Sequence, residues 1–204
     1  MILYESIGPN PRVVKMFLAE KGMTVESRSV DIMKGENRQD GYRKVNPGCT
    51  TPALVLDDGT TISETVAICE YLEERQPAPA LIGNTPEERA RTRMWVRRID
   101  LTVNEPMTTG FRAAEGRPMF EPRMRVMPEA AAPELKAAAT DGLKWIEEQI
   151  GGRAWIVGDA FSLADIVLFS FVEFGGLVGQ PLPSDLPKLA AWRARVAERK
   201  SAAV

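Results

Sequence analysis

Strand-like alternation in this chain of 204 residues stops at about Ile62, and beyond it apolar residues recur only at helical spacing. A sequence patterned in this way folds as a small mixed α/β unit followed by an all-helical one. In the first part, ILYES reads as a strand, about Arg12 to Lys21 as a helix and VESRSVDI as a second strand. After the polar, basic loop MKGENRQDGYRK, the run PALVLDD and the residues after Gly59 read as two strands. Asp58-Gly59 joins them, a dipeptide that supplies the positive φ angles of a tight hairpin. SETVAICEYLEER then forms a helix with Val66, Ile68, Cys69, Tyr71 and Leu72 as its apolar stripe. The order is β-α-β, a connection, then β-β-α.

The proline-rich break QPAPALIGNTP, Gln76 to Pro86, divides the chain. The expected organisation is an α/β domain over residues 1–76, a linker over 77–86 and a helical domain over 87–204. Thr85-Pro86-Glu87-Glu88 is a helix start, with a Thr cap, Pro at the first position and Glu closing a capping box. The spacing predicts that this helix runs to about Pro106. PELKAAATDGLKWIEEQI, GDAFSLADIVLFSFVEF and LPKLAAWRARVAERK continue the helical pattern, with Ser162 and Asp165 as a second cap.

Composition narrows the chemistry. With 26 Lys and Arg against 28 Asp and Glu, the net charge of -2 gives no electrostatic footprint for nucleic acid. The Arg-rich RARTRMWVRR is balanced by Glu87, Glu88 and Asp100 and reads as a solvated helix face. No apolar run reaches the roughly 20 residues of a membrane span, and no signal-peptide pattern is visible, so the expectation is a cytoplasmic protein. The absence of histidine excludes Ser-His-Asp and Cys-His catalysis. Cys49 and Cys69 are too few for a disulfide framework or a zinc site, so no metal is expected.

Three short stretches carry candidate chemistry. SIGPNPRVV, Ser6 to Val14, is a strand-to-helix turn in which Pro11 suits the first helical position. Thr51-Pro52 precedes a strand: a cis bond there would turn the Thr51 N–H and C=O outward to pair with an extended peptide, whereas a trans Pro would simply start the strand. Ser63-Glu64-Thr65 opens a helix, where backbone N–H groups and a Thr hydroxyl suit a carboxylate and Glu64 suits an ammonium. Capping by Ser63 explains the serine without a ligand.

Taken together, NPGCTTPALVLDDGTTISETVAICEYL resembles the thioredoxin-like N-terminal domain of cytosolic glutathione transferases. The pattern N-P-x-x-x-x-P-x-L, a hairpin, then E-S/T-x-A-I-x-x-Y-L is carried by Asn46, Pro47, Pro52, Leu54, Glu64, Thr65, Ala67, Ile68, Tyr71 and Leu72. The similarity extends back through LAEKG and VDIMKGEN and forward to VGDAFSLADI. It implies a thioredoxin-like domain, a helical domain, homodimeric assembly and glutathione as co-substrate. By that resemblance, Thr51 beside cis-Pro52 pairs with the cysteinyl backbone, Glu64 and Thr65 hold the γ-glutamyl end, and Lys34, Asn37 or Lys44 meets the glycine carboxylate.

The resemblance also implies a group that stabilises the thiolate, since a free thiol titrates near 8.5. The usual hydroxyl or thiol position, four residues before Arg12, is Gly8. Pro9-Asn10 matches the P-N pair of the bacterial nu-like branch, which makes Asn10 the first candidate and Ser6 the second. A water-assisted branch matches Thr108, with Arg112 in place of its histidine, as the third. Tyr4 falls within the first strand and is expected to pack. The acceptor, a small hydrophobic electrophile, is expected between the domains against Ile7, Met107, Phe111 and Arg112. A non-catalytic glutathione-binding module and a glutathione-dependent disulfide or peroxide reductase are the alternative functions. The observation that separates binding from catalysis is the titration of the bound thiol.

Overall fold

A computed structural model describes residues 1–204, which group into two compact units: Met1–Ile82 with Arg199–Val204, and Gly83–Glu198. In the first, strand β1 (Ile2–Glu5) passes through helix α1 (Pro9–Lys21) to strand β2 (Glu26–Ser29), which lies parallel to β1. A short 3-10 turn (Glu36–Arg38) and the one-turn α2 (Asp40–Arg43) lead to strands β3 (Ala53–Val55) and β4 (Thr61–Ser63), then to helix α3 (Thr65–Arg75). The sheet order is β2-β1-β3-β4, with β3 antiparallel to both neighbours. The hairpin falls where Asp58-Gly59 marks it, but the turn is closed by Gly59 N–H donating to Leu56 O at 3.0 Å, and of the two residues only Gly59 has a positive φ, 87°.

Register explains the core of this unit. Leu3 faces Leu54 across β1 and β3, and both are buried with Val14 and Phe17 of α1 and Ile68 and Leu72 of α3. Each such side chain contributes roughly 1.5–3 kcal/mol by leaving water. Helix α1 begins at Pro9, earlier than the apolar period from Arg12 indicates. The first N–H groups of a helix have no intrahelical acceptor, so Pro9 and Pro11 sit there without losing a bond.

The second unit is all helix: α4 (Pro86–Ile99), α5 (Glu105–Ala113), α6 (Arg117–Phe120), α7 (Ala132–Ile150), α8 (Leu163–Leu177) and α9 (Pro187–Ala197). Thr85 and Glu88 form the predicted capping box on α4. The helix does not end near Pro106, however. It continues through a π-helical turn, Asp100–Asn104, into α5 and ends at Ala113. A proline removes one helical bond and crowds the carbonyl four residues back, and the helix widens into a π turn just before Pro106, with Glu105 N–H donating to Asp100 O.

Helix α8 is buried at every position from Leu163 to Val172, as befits a helix apolar on all sides at the centre of its unit. Asp165 anchors its start. Its carboxylate accepts from the N–H and hydroxyl of Ser162, from Ile156 N–H and from Trp192 Nε1, each at 2.9 Å.

Residues 199–204, expected with the helical domain, instead join the first unit. Arg199 donates to both carboxylate oxygens of Glu20 on α1, Ser201 donates to the same carboxylate, and Arg12 donates to Ala202 O at 2.9 Å. Residues 77–82, expected as linker, also belong to this unit.

Candidate functional site

Strand direction gathers the candidate residues at one end of the sheet. Tyr4, Ala53 and Ser63 form one row across β1, β3 and β4. Strands β1 and β4 run toward that end and β3 runs away from it. The Ser6–Asn10 turn, Thr51-Pro52 and Glu64-Thr65 therefore all emerge there, as does the segment after β2, since Ser29 pairs with Glu5.

Two of these segments touch. The Thr65 hydroxyl donates to Asn10 Oδ1 at 3.1 Å, bridging the starts of α3 and α1. The N-cap of α1 is Gly8, at φ 116° and ψ 173°, a conformation in which a side chain is strained. Pro9 and Pro11 have no N–H, so Asn10 supplies the only backbone donor among the first three residues of α1, beside its own Nδ2.

Helix α3 begins at Thr65 with Glu64 as N-cap and no side-chain cap, so Ser63, which lies in β4, does not cap it. The first α-helical bond runs from Ile68 N to Glu64 O, which leaves the N–H groups of Thr65, Val66 and Ala67 without intrahelical acceptors. Glu64 itself is an exposed residue at φ 71°, a rare conformation for a side chain of its kind and one that clusters at functional sites.

The peptide bond between Thr51 and Pro52 is cis. The loop before it is held by buried groups that the motif alone does not explain. Asn46 donates to Thr50 O at 2.9 Å and accepts from Gly48 N at 3.0 Å, and the Tyr42 hydroxyl also donates to Thr50 O. Burial pushes the Tyr42 hydroxyl up to about 12, so it stays a donor across the physiological range.

Residues 7–75 match the family model "Glutathione S-transferase, N-terminal domain", and residues 111–200 match "Glutathione S-transferase, C-terminal domain". Glutathione S-transferase 2 of Saccharomyces cerevisiae is 31% identical over 98% of this chain and 87% of its own length. The chain belongs to the glutathione S-transferase family. GstA of Escherichia coli O157:H7 is 33% identical over 89% of this chain and 85% of its own. The crystal structure of a glutathione S-transferase domain-containing protein from Marinobacter aquaeolei VT8 superposes with a TM-score of 0.92, at 36% identity, covering 98% of this chain and 99% of that one.

Within this member of the family, the three candidates for the sulfur-facing group have different fates. Ser6 is buried and its hydroxyl donates to Val30 O at 2.6 Å. Thr108 donates to Asn104 O at 2.8 Å, one turn back on the helix. Each hydroxyl has one proton, and both are spent on backbone carbonyls. Asn10 alone of the three keeps side-chain N–H groups without a partner in the chain.

The glycine-end candidates also separate. Asn37 is buried and donates to Cys49 O at 2.6 Å, holding the Cys49 backbone at φ 56°. That bond helps to build the loop before Pro52, while Asn37 Oδ1 is buried without a partner. Lys34 is exposed and paired with Asp31 at 3.2 Å, and Lys44 is exposed. Tyr4 packs edge-on against Tyr42, as expected of a strand-interior tyrosine.

Of the acceptor-side candidates, Ile7 is 65% exposed in the first unit. It borders a depression of about 540 Å³, flanked by Gly8, Ile32, Met33 and Val204. The others lie in the second unit. Phe111 meets Phe120 and Phe174 edge-on, Arg112 lies over the Phe120 ring at 5.3 Å, and Met107 is buried. No group of three His, Cys, Asp or Glu side chains is placed to hold a metal ion, and no helix is long and apolar enough to cross a membrane.

Proposed function

We propose that this chain is a glutathione-dependent transferase that binds glutathione across the starts of α1, β3 and α3, stabilises its thiolate and adds the sulfur to a small hydrophobic electrophile. One observation carries the reading: Asn10, with unpartnered amide N–H groups, is hydrogen-bonded to Thr65 at the uncapped start of α3. The γ-glutamyl carboxylate takes the N–H groups at that start, and its ammonium takes Glu64. The Thr51 backbone pairs with the cysteinyl residue. This brings the sulfur to the N-terminus of α1, where the helix dipole, the Asn10 N–H and Asn10 Nδ2 favour the anion.

The depression beside Ile7 combines the apolar Ile7, Ile32, Met33 and Val204 with the charged Glu5, Arg12, Lys15 and Asp31, and the apolar part is the wall offered to the electrophile. Lys34 and Lys44 are the cations for the glycine carboxylate. The reading includes no metal, a homodimer and a cytoplasmic, detoxifying role, supported by the family to which the chain belongs.

The test is the ultraviolet absorbance of bound glutathione thiolate against pH. The expected result is titration below the free value of about 8.5 in the wild type and a return toward it in Asn10→Ala. Binding with no displacement of the titration rejects the transferase reading in favour of a binding module.

A further inference from the structure

An amide side chain has a donor end and an acceptor end, and only the donor end stabilises a thiolate. For Asn10 the choice is made by one contact. Thr65 Oγ1 donates to Oδ1, and no other side-chain bond of Asn10 competes. We propose that Thr65 is a positioning residue for sulfur activation: its hydroxyl proton fixes Oδ1 of Asn10 and so presents Nδ2 to the glutathione sulfur. The proposal rests on the reading that glutathione binds at this site.

The consequence for binding follows from counting protons. A hydroxyl has one, and here Asn10 takes it. The γ-glutamyl carboxylate is then left to the backbone N–H groups of Thr65, Val66 and Ala67, which no side chain caps. Thr65 thus divides its work, its N–H facing the ligand and its hydroxyl facing Asn10. Removing the hydroxyl should change the acidity of the bound thiol more than the affinity for glutathione.

The experiment compares wild type, Thr65→Val, Thr65→Ser, Asn10→Ala and the Thr65→Val/Asn10→Ala double variant. Thiolate absorbance is titrated at saturating glutathione, and affinity is measured by calorimetry. Thr65→Val is expected to raise the bound-thiol pKa by roughly one unit, the scale of one lost hydrogen bond to a charged group, with affinity falling less than about threefold. Thr65→Ser restores the titration because it restores the proton donor. The double variant titrates like Asn10→Ala, since Thr65 acts through Asn10.

A displaced wild-type titration that Thr65→Val leaves untouched overturns this proposal alone, as do shifts that add in the double variant. Loss of affinity by tenfold without a change in titration also overturns it, and assigns the hydroxyl to the carboxylate. A wild-type titration equal to that of free glutathione overturns the proposal together with the reading beneath it.

Discussion

The Lys21 ammonium and the Glu73 carboxylate form a salt bridge in the interior of the first unit, with side chains 0% and 3% exposed. Lys21 Nζ also donates to the carbonyls of Gln76 at 2.8 Å and Pro79 at 2.6 Å, while Glu73 accepts from Leu81 N and Ile82 N, both at 3.0 Å. The pair ties the segment after α3 to α1. Removing one partner strands the other charge, so Lys21→Met and Glu73→Gln are each expected to cost roughly 3–5 kcal/mol. The double variant Lys21→Met/Glu73→Leu should cost less than the sum, because no lone charge remains. It should not recover fully, because Leu81 N–H and Ile82 N–H lose their acceptor. Urea unfolding of the four proteins gives the comparison.

Gly142 on α7 makes a second prediction, from close approach alone. A Cβ there would lie 2.2 Å from the carbonyl oxygen of Thr102 in the π-helical turn. Pro106 has no N–H to offer that oxygen, and the turn bulges toward α7 where only a glycine leaves room. Gly142→Ala therefore has no flexible neighbour to displace. It should destabilise the helical unit by about 1–3 kcal/mol, as overpacking of a fitted interface does, and a drop in the thermal midpoint measures it.

What was legible in the sequence was local. The Asp58-Gly59 hairpin, the Thr85–Glu88 box and the Ser162/Asp165 start rely on residues a few positions apart, and each formed. The Asn10–Thr65 bond spans 55 positions, and the Arg199–Glu20 pair spans 179. Lys21 reads as an ordinary basic residue in the last turn of a helix and Glu73 as a surface acid. Each is buried only because the other neutralises it, and periodicity does not report a partner so far away. Ser6 shows the converse: its hydroxyl looked available until the fold brought the Val30 carbonyl within 2.6 Å.

The contact that returns the last residues to α1 is pH-dependent. Burial works against ionisation of Glu20, but hydrogen bonds from Arg199 and Ser201 and the Arg199 charge outweigh it and hold the carboxyl below its ordinary 4.5. A group whose folded pKa lies below its unfolded value stabilises fully above the unfolded value and loses that contribution as pH falls through the folded one. The difference in thermal midpoint between wild type and Glu20→Gln should therefore be constant from pH 7 to about 5 and shrink below about 4.5. A difference that grows on acidification would contradict the assignment.

Gly8 raises the question of why the position that carries a hydroxyl or thiol in related proteins has none here. Its φ of 116° answers it, because the backbone turns into α1 through a conformation that side chains adopt only under strain, although the space around it is open. Restoring a hydroxyl by Gly8→Ser is expected to cost about 1–3 kcal/mol of stability. It should not raise turnover, since the new side chain would either distort the start of α1, and with it Asn10, or leave along a direction set by the strained backbone. Measuring the thermal midpoint together with kcat/KM for a chromogenic aromatic halide separates the outcomes. A stable Gly8→Ser variant with higher kcat/KM would show that position 8 retains the geometry of a sulfur-activating site.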